Sequence, residues 1–139
     1  MSFLVLTGLG ASPFSLRGAT QTLEHIEAAT QVRRTVNGSL IDISATQLRK
    51  YKSLITGVDH LPPAFDSKWP GMIVTVDCSA ELSYLTGGSP GRSVVSGSSR
   101  VDGAYTFYRP QLTMRIINFS INADEYNAKT GWTLELEEV

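Results

Sequence analysis

Apolar and polar side chains alternate in several short stretches of this sequence, and the alternation restricts the chain to a β-rich fold. The clearest case runs from Met72 to Leu82, where every second residue from Met72 onward is Met, Val, Cys, Ala or Leu. Successive side chains of a strand point to opposite faces, so this apolar set is predicted to face the core.

A last strand is predicted over Trp132–Val139. Its apolar residues alternate with Thr133, Glu135 and Glu137, which gives the strand one acidic face. An exposed strand edge is a template for pairing with another chain. In a ring of subunits, the edge of this strand could be paired by another chain.

Two further strand patterns contain residues that interrupt a strand. Gln31–Ser44 is predicted to be a hairpin with a two-residue type I′ turn at Asn37-Gly38, since both central residues of that turn need positive φ. Tyr105–Ile117 reads as a strand interrupted near Arg109-Pro110, where the missing N–H of proline favours an edge or a bulge.

Three segments are less regular. Residues 20–30 and 45–55 fit both helical and strand periods, so either structure is open there. Residues 57–71 contain Pro62-Pro63 and Pro70-Gly71 and are predicted to form a rigid, extended connection. Within this connection, Trp69 is expected to cover an edge of the core.

These patterns predict one small domain over residues 1–139, a β-sandwich or barrel with at most one short helix. The chain is long enough to bury a core without disulfides or metals, and 42% apolar with 18% charged residues is typical of a globular protein. No apolar run reaches the roughly 20 residues of a membrane helix. The single cysteine, Cys78, indicates synthesis in a reducing cytosol.

The stretch Thr86–Gly103 interrupts two strand patterns with eighteen residues, ten of them Gly or Ser. Loops of this length usually bind something or stay disordered. The stretch lacks the GxxxxGK[ST] spacing of a phosphate-binding loop. It is predicted to be either a flexible arm that a partner orders or a long hairpin whose strands hold Val94-Val95 and Val101.

Charge is distributed unevenly along the chain. Residues 1–52 carry six basic and three acidic side chains, a net charge of +3, whereas residues 120–139 carry one basic and five acidic, a net charge of −4. If the two ends lie on different faces, copies can meet head to tail and close into a ring. The alternative is that the two ends pair within one molecule.

The sequence predicts no catalytic, cofactor-binding or metal-binding residue. The two histidines, His25 and His60, are far apart and have no metal-ligand spacing. Cys78 lies on the predicted core face, where an inert thiol is expected. A basic cluster surrounds Tyr51 (Arg33, Arg34, Arg49, Lys50 and Lys52), but the pI of 6.1 and the opposite orientation of neighbouring strand residues argue against specific nucleic-acid binding.

Four segments carry a resemblance: RRTVNGSLIDIS, RKYKSLITGVD, PPAFDSKWPGMIVTVDCSAELSY and YRPQLTMRIINFSINADEYNAKTGWTLELEEV. Together they resemble small structural proteins of tailed bacteriophages, most of all those of contractile tail or baseplate rings. The resemblance implies a cofactor-free virion protein, made in the host cytoplasm, that joins tail tube, sheath or baseplate hub. A neck ring and a capsid decoration protein are the nearest alternatives.

In such a ring, partners would be other copies of the chain and other virion proteins. Arg92 and Arg100 are expected to dock on carboxylates of an adjacent subunit, because the arm holds little compensating charge. The predicted interface residues are Arg33, Arg34, Arg92, Arg100, Glu135, Glu137 and Glu138. Two functions of other classes stay open: a small enzyme using Asp59, His60 and Asp66, and a ligand-binding β-barrel.

Overall fold

The computed structural model of the chain describes residues 4–7, 18–29, 31–59 and 64–139. About 55% of the chain is strand, and the only helical pieces in these ranges are 3-10 turns at Glu27–Ala29 and Thr46–Leu48. The strands are β1 (Val5–Thr7), β2 (Thr20–His25), β3 (Val32–Arg34), β4 (Leu40–Asp42), β5 (Tyr51–Asp59), β6 (Ile73–Asp77), β7 (Leu82–Leu85), β8 (Ser93–Val94), β9 (Arg100–Asp102), β10 (Tyr105–Tyr108), β11 (Pro110–Asp124) and β12 (Lys129–Glu138). The predicted mainly β fold is confirmed.

The largest sheet curls into a half-barrel with the strand order β1-β6-β11-β12-β5-β2, and β8 pairs separately with β11. In this order β12 is an inner strand: it pairs with β11 along one side and with β5 along the other. The prediction that another chain pairs the edge of Trp132–Val139 is therefore wrong, because both edges of the strand are already hydrogen-bonded within the molecule.

Strand β11 organises the fold because it pairs with three others. It begins at Pro110, which needs no ladder N–H at the first strand position, and the predicted interruption at Arg109 is confirmed. Its register against β12 shifts between Ile116 and Asn118, so Ile117 is an extra residue at a β-bulge. Strand β8 pairs with the first two residues of β11, in line with the C-terminal end of β12.

The inner face of the curled sheet carries the core. Val74, Val76 and Cys78 are buried there as predicted, whereas Met72, the first residue of the predicted strand, is 40% exposed. The strand is shorter than predicted: β6 ends at Asp77, the chain bends at residues 79–80, and Leu82 opens β7 in another sheet. The other strands add Leu4, Leu6, Ile55, Leu112, Met114, Ile116, Trp132, Leu134 and Leu136.

Phe65, not Trp69, fills the core from the connection between β5 and β6. Its ring makes edge-on contacts with Phe119 and Trp132, at centroid distances of 5.6 and 5.7 Å, and its side chain is 1% exposed. Trp69 is 69% exposed, so the prediction that it covers the core is wrong. Pro62-Pro63 lie outside the described residues.

Residues 86–103 include β9, which belongs to a second, three-stranded sheet with the order β7-β10-β9. Val94 belongs to β8 and pairs with Pro110 of β11, whereas Val101 belongs to β9 and pairs with Thr106 of β10. The hairpin alternative for this stretch is therefore wrong, because its two valine segments pair with different strands. Dependence of its ordering on assembly stays a prediction.

The two ambiguous segments each combine a 3-10 turn with a strand. Residues 20–25 form β2, followed by the turn at Glu27–Ala29, and the turn at Thr46–Leu48 precedes β5. The two strands pair with each other, with Gln21 opposite Ile55 and Glu24 opposite Lys52. The hydrophobic period could not distinguish helix from strand in these segments, because each segment contains both a 3-10 turn and a strand within a few residues.

Gln21 links the two sides of the half-barrel. Its Oε1 accepts hydrogen bonds from the backbone N–H groups of Ser79 and Ala80, at 2.8 and 3.3 Å, and from the Ser79 hydroxyl at 3.2 Å. Its Nε2 donates to Ser53 Oγ at 3.0 Å. One side chain thus joins edge strand β2 to the loop that follows β6.

Candidate interaction surface

A hairpin made by β3 and β4 stands apart from the rest of the molecule. We call residues 31–44 the protruding hairpin. Among the described strands, β3 and β4 pair only with each other, and residues 31–43 are all exposed. The exposed residues include Leu40 at 58%, Ile41 at 44% and Ile43 at 50%. A two-stranded hairpin on its own has only marginal stability in water. No other described strand extends this one into a larger sheet.

The predicted hairpin is confirmed, but its predicted turn type is wrong. Thr35 N–H donates to Ser39 O at 2.8 Å and Gly38 N–H to Thr35 O at 2.9 Å, which leaves a three-residue loop. Gly38 has φ +84°, and Asn37 is not among the described residues with positive φ. The turn is therefore the three-residue form, in which only the last loop residue is left-handed and glycine meets that need.

The two arginines of the protruding hairpin lie on opposite faces. Arg33 is directly opposite Ile41, and Arg34 is directly opposite Leu40. Arg34 Nη1 donates to Gly38 O at 2.9 Å. No ion pair involves Arg33 in the described part of the chain. Each face therefore presents a guanidinium group beside an exposed aliphatic side chain.

An acidic groove lies on the outer face of the large sheet. It has a volume of about 190 Å³, and we define it by Thr22, Glu24, Lys52, Leu54, Ile117, Glu135 and Glu137. Lys52 Nζ lies 3.6 Å from Glu24 Oε2. Leu54 and the bulge residue Ile117 are 39% and 42% exposed and supply apolar surface. Across residues 4–7, 18–29, 31–59 and 64–139, neither Glu135 nor Glu137 forms an ion pair.

Cross-strand register explains the groove. Glu24, Lys52, Glu137 and Arg115 follow one another across β2, β5, β12 and β11, so charges of opposite sign alternate along this row. In the next row, Glu135 lies between Leu54 and Asn118, with no cation beside it. Lys52 of the basic segment 1–52 thus lies beside Glu137 of the acidic segment 120–139. In this region the two oppositely charged segments pair within one molecule.

Arg92 binds the C-terminal end of β12 inside the same chain. Its Nε lies 2.8 Å from Glu138 Oε1 and its Nη2 donates to Glu138 Oε2 at 3.1 Å. The Nε–H does not point at the carboxylate, so the first contact is a charge contact and the second a directed hydrogen bond. Nη2 also donates to Arg49 O at 2.7 Å, and the guanidinium lies 5.1 Å from the Tyr51 ring centroid. His25 stacks on that ring at 5.2 Å.

Arg100 also has a partner within the chain, in a more exposed setting. Its Nη2 lies 3.2 Å from Glu81 Oε2, and its guanidinium lies 4.5 Å from the Phe107 ring centroid. The arm therefore does not lack compensating charge, and the reason given for docking Arg92 and Arg100 on a neighbour is wrong. An interface role for these two residues stays a prediction without that support.

The seven predicted interface residues fall into four places. Arg33 and Arg34 lie on the protruding hairpin, Glu135 and Glu137 in the acidic groove, and Arg92 with Glu138 in an internal ion pair; Arg100 lies on the small sheet. Sequence reasoning missed Glu24, Lys52, Leu54 and Ile117 as groove residues. Their alternation was visible, but the register that joins β2, β5 and β12 was not.

The three residues considered for catalysis lie at a gap in the described residues. His60 lies outside the described residues, and Asp59 and Asp66 stand on either side of that gap. Among the residues that the structure describes, no three His, Cys, Asp or Glu side chains are grouped to hold a metal ion.

Cys78 is buried, and this burial raises the pKa of its thiol to about 11. No helix in the described ranges has the length and apolarity to span a membrane.

The geometry defines a mainly β domain whose prominent surface features are an exposed hairpin and an acidic groove. Comparison with protein families, curated proteins and solved structures finds no match for this chain.

Proposed function

We propose that the chain is a non-enzymatic structural protein of a tailed-phage virion. It forms a ring that connects the tail tube or sheath to baseplate or neck components. The sequence segments that resemble small tail proteins support this proposal, and so does the mainly β fold. The observation that carries it is the protruding hairpin, which has exposed aliphatic residues and, among the described strands, no hydrogen-bonded partner.

An assembly role accounts for this hairpin in physical terms. Leu40, Ile41 and Ile43 are exposed, so they stabilise the molecule fully only when a second surface removes them from water. Clustered apolar residues on an exposed surface mark interaction sites. In a ring, each copy offers its hairpin to a neighbour, so a feature that is marginal in one molecule becomes ordered and buried in the assembly.

Purified particles of the encoding phage provide the test. Mass spectrometry is expected to find the chain in tails, at several copies per particle. Its absence from particles, with the soluble chain remaining in the lysate, would refute the proposal.

A variant of the chain tests the role of the hairpin in that assembly. Replacing residues 32–43 by a short glycine turn should leave the thermal unfolding of the domain unchanged, because the hairpin pairs with no other strand. Phages complemented with this variant should lack complete tails. The matched control shortens the exposed turn at residues 125–128, which joins β11 to β12, and should complement normally.

A further inference from the structure

Two surfaces of opposite charge are exposed on the described part of the chain, the protruding hairpin and the acidic groove. We infer that the protruding hairpin of one copy docks in the acidic groove of a second copy. This inference rests on the proposed function, since it requires the chain to be a repeated subunit, and it names the contact by which the subunits join.

The charges of the two surfaces are complementary. The hairpin carries Arg33 and Arg34, and its single carboxylate, Asp42, accepts hydrogen bonds from the backbone N–H and hydroxyl of Ser44, which lower the pKa of Asp42. The groove carries three carboxylates against one ammonium group, that of Lys52. Lys52 pairs with Glu24, and Glu137 lies between Lys52 and Arg115, so Glu135 is the groove carboxylate left to receive a cation from outside. Complementary potentials of this kind fix which surfaces meet.

The arrangement of apolar groups matches as well. On the hairpin, Arg33 lies directly opposite Ile41, and in the groove Glu135 lies directly opposite Leu54. Each surface thus presents one charged and one aliphatic side chain next to each other. When the two pairs meet, Arg33 can reach Glu135 while Ile41 covers Leu54 and Ile117. Burial of the aliphatic groups lowers the local dielectric, which strengthens the ion pair.

A second copy is the occupant that these observations favour. The hairpin and the groove belong to different parts of the surface, so a contact between them is heterologous and leaves one hairpin and one groove free on each pair. Repetition of this contact closes a ring where the rotation permits. Because none of the other described strands pairs with the hairpin, its strand edges are available to a neighbour.

Charge reversal at one residue on each surface tests the contact. Arg33→Glu alters the hairpin, where Arg33 faces Ile41, and Glu135→Arg alters the groove, where residue 135 lies between Leu54 and Asn118. Neither change creates like charges in a cross-strand row. Glu137 is left unchanged because it lies between Lys52 and Arg115. Self-association of the full chain is measured by sedimentation velocity over a range of concentration and salt.

Each single variant is expected to weaken self-association at least about tenfold, the ratio that corresponds to about 1.4 kcal/mol. An equimolar mixture of the two variants, and the chain that carries both changes, should recover the association of the wild type. The wild-type association should fall as salt rises, because exposed charges are screened. The control Glu125→Arg, a charge reversal in the exposed turn between β11 and β12, should behave like the wild type.

Three results would overturn the inference. In the first, the wild-type chain stays monomeric at every concentration and salt tested. In the second, the mixture of the two variants does not recover self-association. In the third, Arg33→Glu abolishes binding to a different tail protein without changing self-association. In each case, particles that contain several copies of the chain would leave the proposed function intact. Absence of the chain from particles would instead refute the proposed function.

Discussion

Gly57 lies directly opposite Trp132 on adjacent strands, and the indole ring occupies the space that a side chain at position 57 would need. A Cβ at Gly57 would lie 2.7 Å from two carbons of the indole and 2.9 Å from its nitrogen. Trp132 is 3% exposed and contacts Phe65, so the ring cannot move without disturbing the core. This close approach requires glycine at position 57.

Gly57→Ala is therefore expected to lower the free energy of unfolding by about 1–3 kcal/mol, the usual cost of overpacking a core. Chemical denaturation of the two proteins measures this difference. Gly131→Ala is the matched control: the nearest atom to its added Cβ lies at 3.8 Å, and the effect should stay within about 0.5 kcal/mol. In a Trp132→Phe background the penalty of Gly57→Ala should shrink. Equal penalties in both backgrounds would contradict the steric explanation.

Gln21→Ala is expected to cost about 1–3 kcal/mol, because it leaves the N–H groups of Ser79 and Ala80 without their acceptor. Thr22→Ala, at the exposed neighbouring position of β2, should change stability by less than about 0.5 kcal/mol. Urea titrations of both variants provide the comparison. If the two substitutions cost the same, Gln21 does not link the sides of the half-barrel.

Arg92 and Arg100 are expected to differ in their contribution to stability. The ion pair of Arg92 is the more shielded, with side-chain exposures of 27% and 11% for Arg92 and Glu138, against 57% and 32% for Arg100 and Glu81. Arg92→Ala should cost about 1–3 kcal/mol, because Glu138 loses a charged hydrogen bond. Arg100→Ala should cost less than about 1 kcal/mol. Thermal denaturation ranks the two, and the reverse order would contradict the assigned contacts.

Cys78 is expected to make stability fall at alkaline pH. Burial raises the pKa of its thiol from its ordinary value of 9.0 to about 11 in the folded chain. The folded state therefore favours the protonated thiol, and its stabilising effect is full below about pH 9 and is lost as pH rises toward 11. The unfolding free energy of the wild type should decrease more steeply over this range than that of Cys78→Ala. Parallel pH profiles would show that the thiol is not buried as described.

The sequence predicted the strands better than their partners. Alternation placed Val74, Val76 and Cys78 on the core face, and the Asn37-Gly38 dipeptide placed a hairpin where one is found. Alternation carries no information about which strand lies beside which. For that reason the inner position of β12 and the groove between β2, β5, β12 and the bulge at Ile117 were not predicted.

The same limit applies to the candidate site. Arg33, Arg34, Glu135 and Glu137 were selected by charge, and all four are exposed. Arg92 and Glu138 were selected for the same reason, but β8 lies in line with the end of β12 and joins them in one internal ion pair. Trp69 and Phe65 lie four positions apart on the same connection, and only the packing around Phe119 and Trp132 decides which of them enters the core.

The central prediction is that another polypeptide covers the protruding hairpin in the assembled particle. A cryo-EM reconstruction of the purified particle, at a resolution that traces side chains, tests this directly. We predict several copies of the chain around the tail axis, with residues 31–44 of each copy packed against a neighbour and Arg33 beside a carboxylate. Copies whose hairpins face solvent throughout, or particles without the chain, would contradict the account.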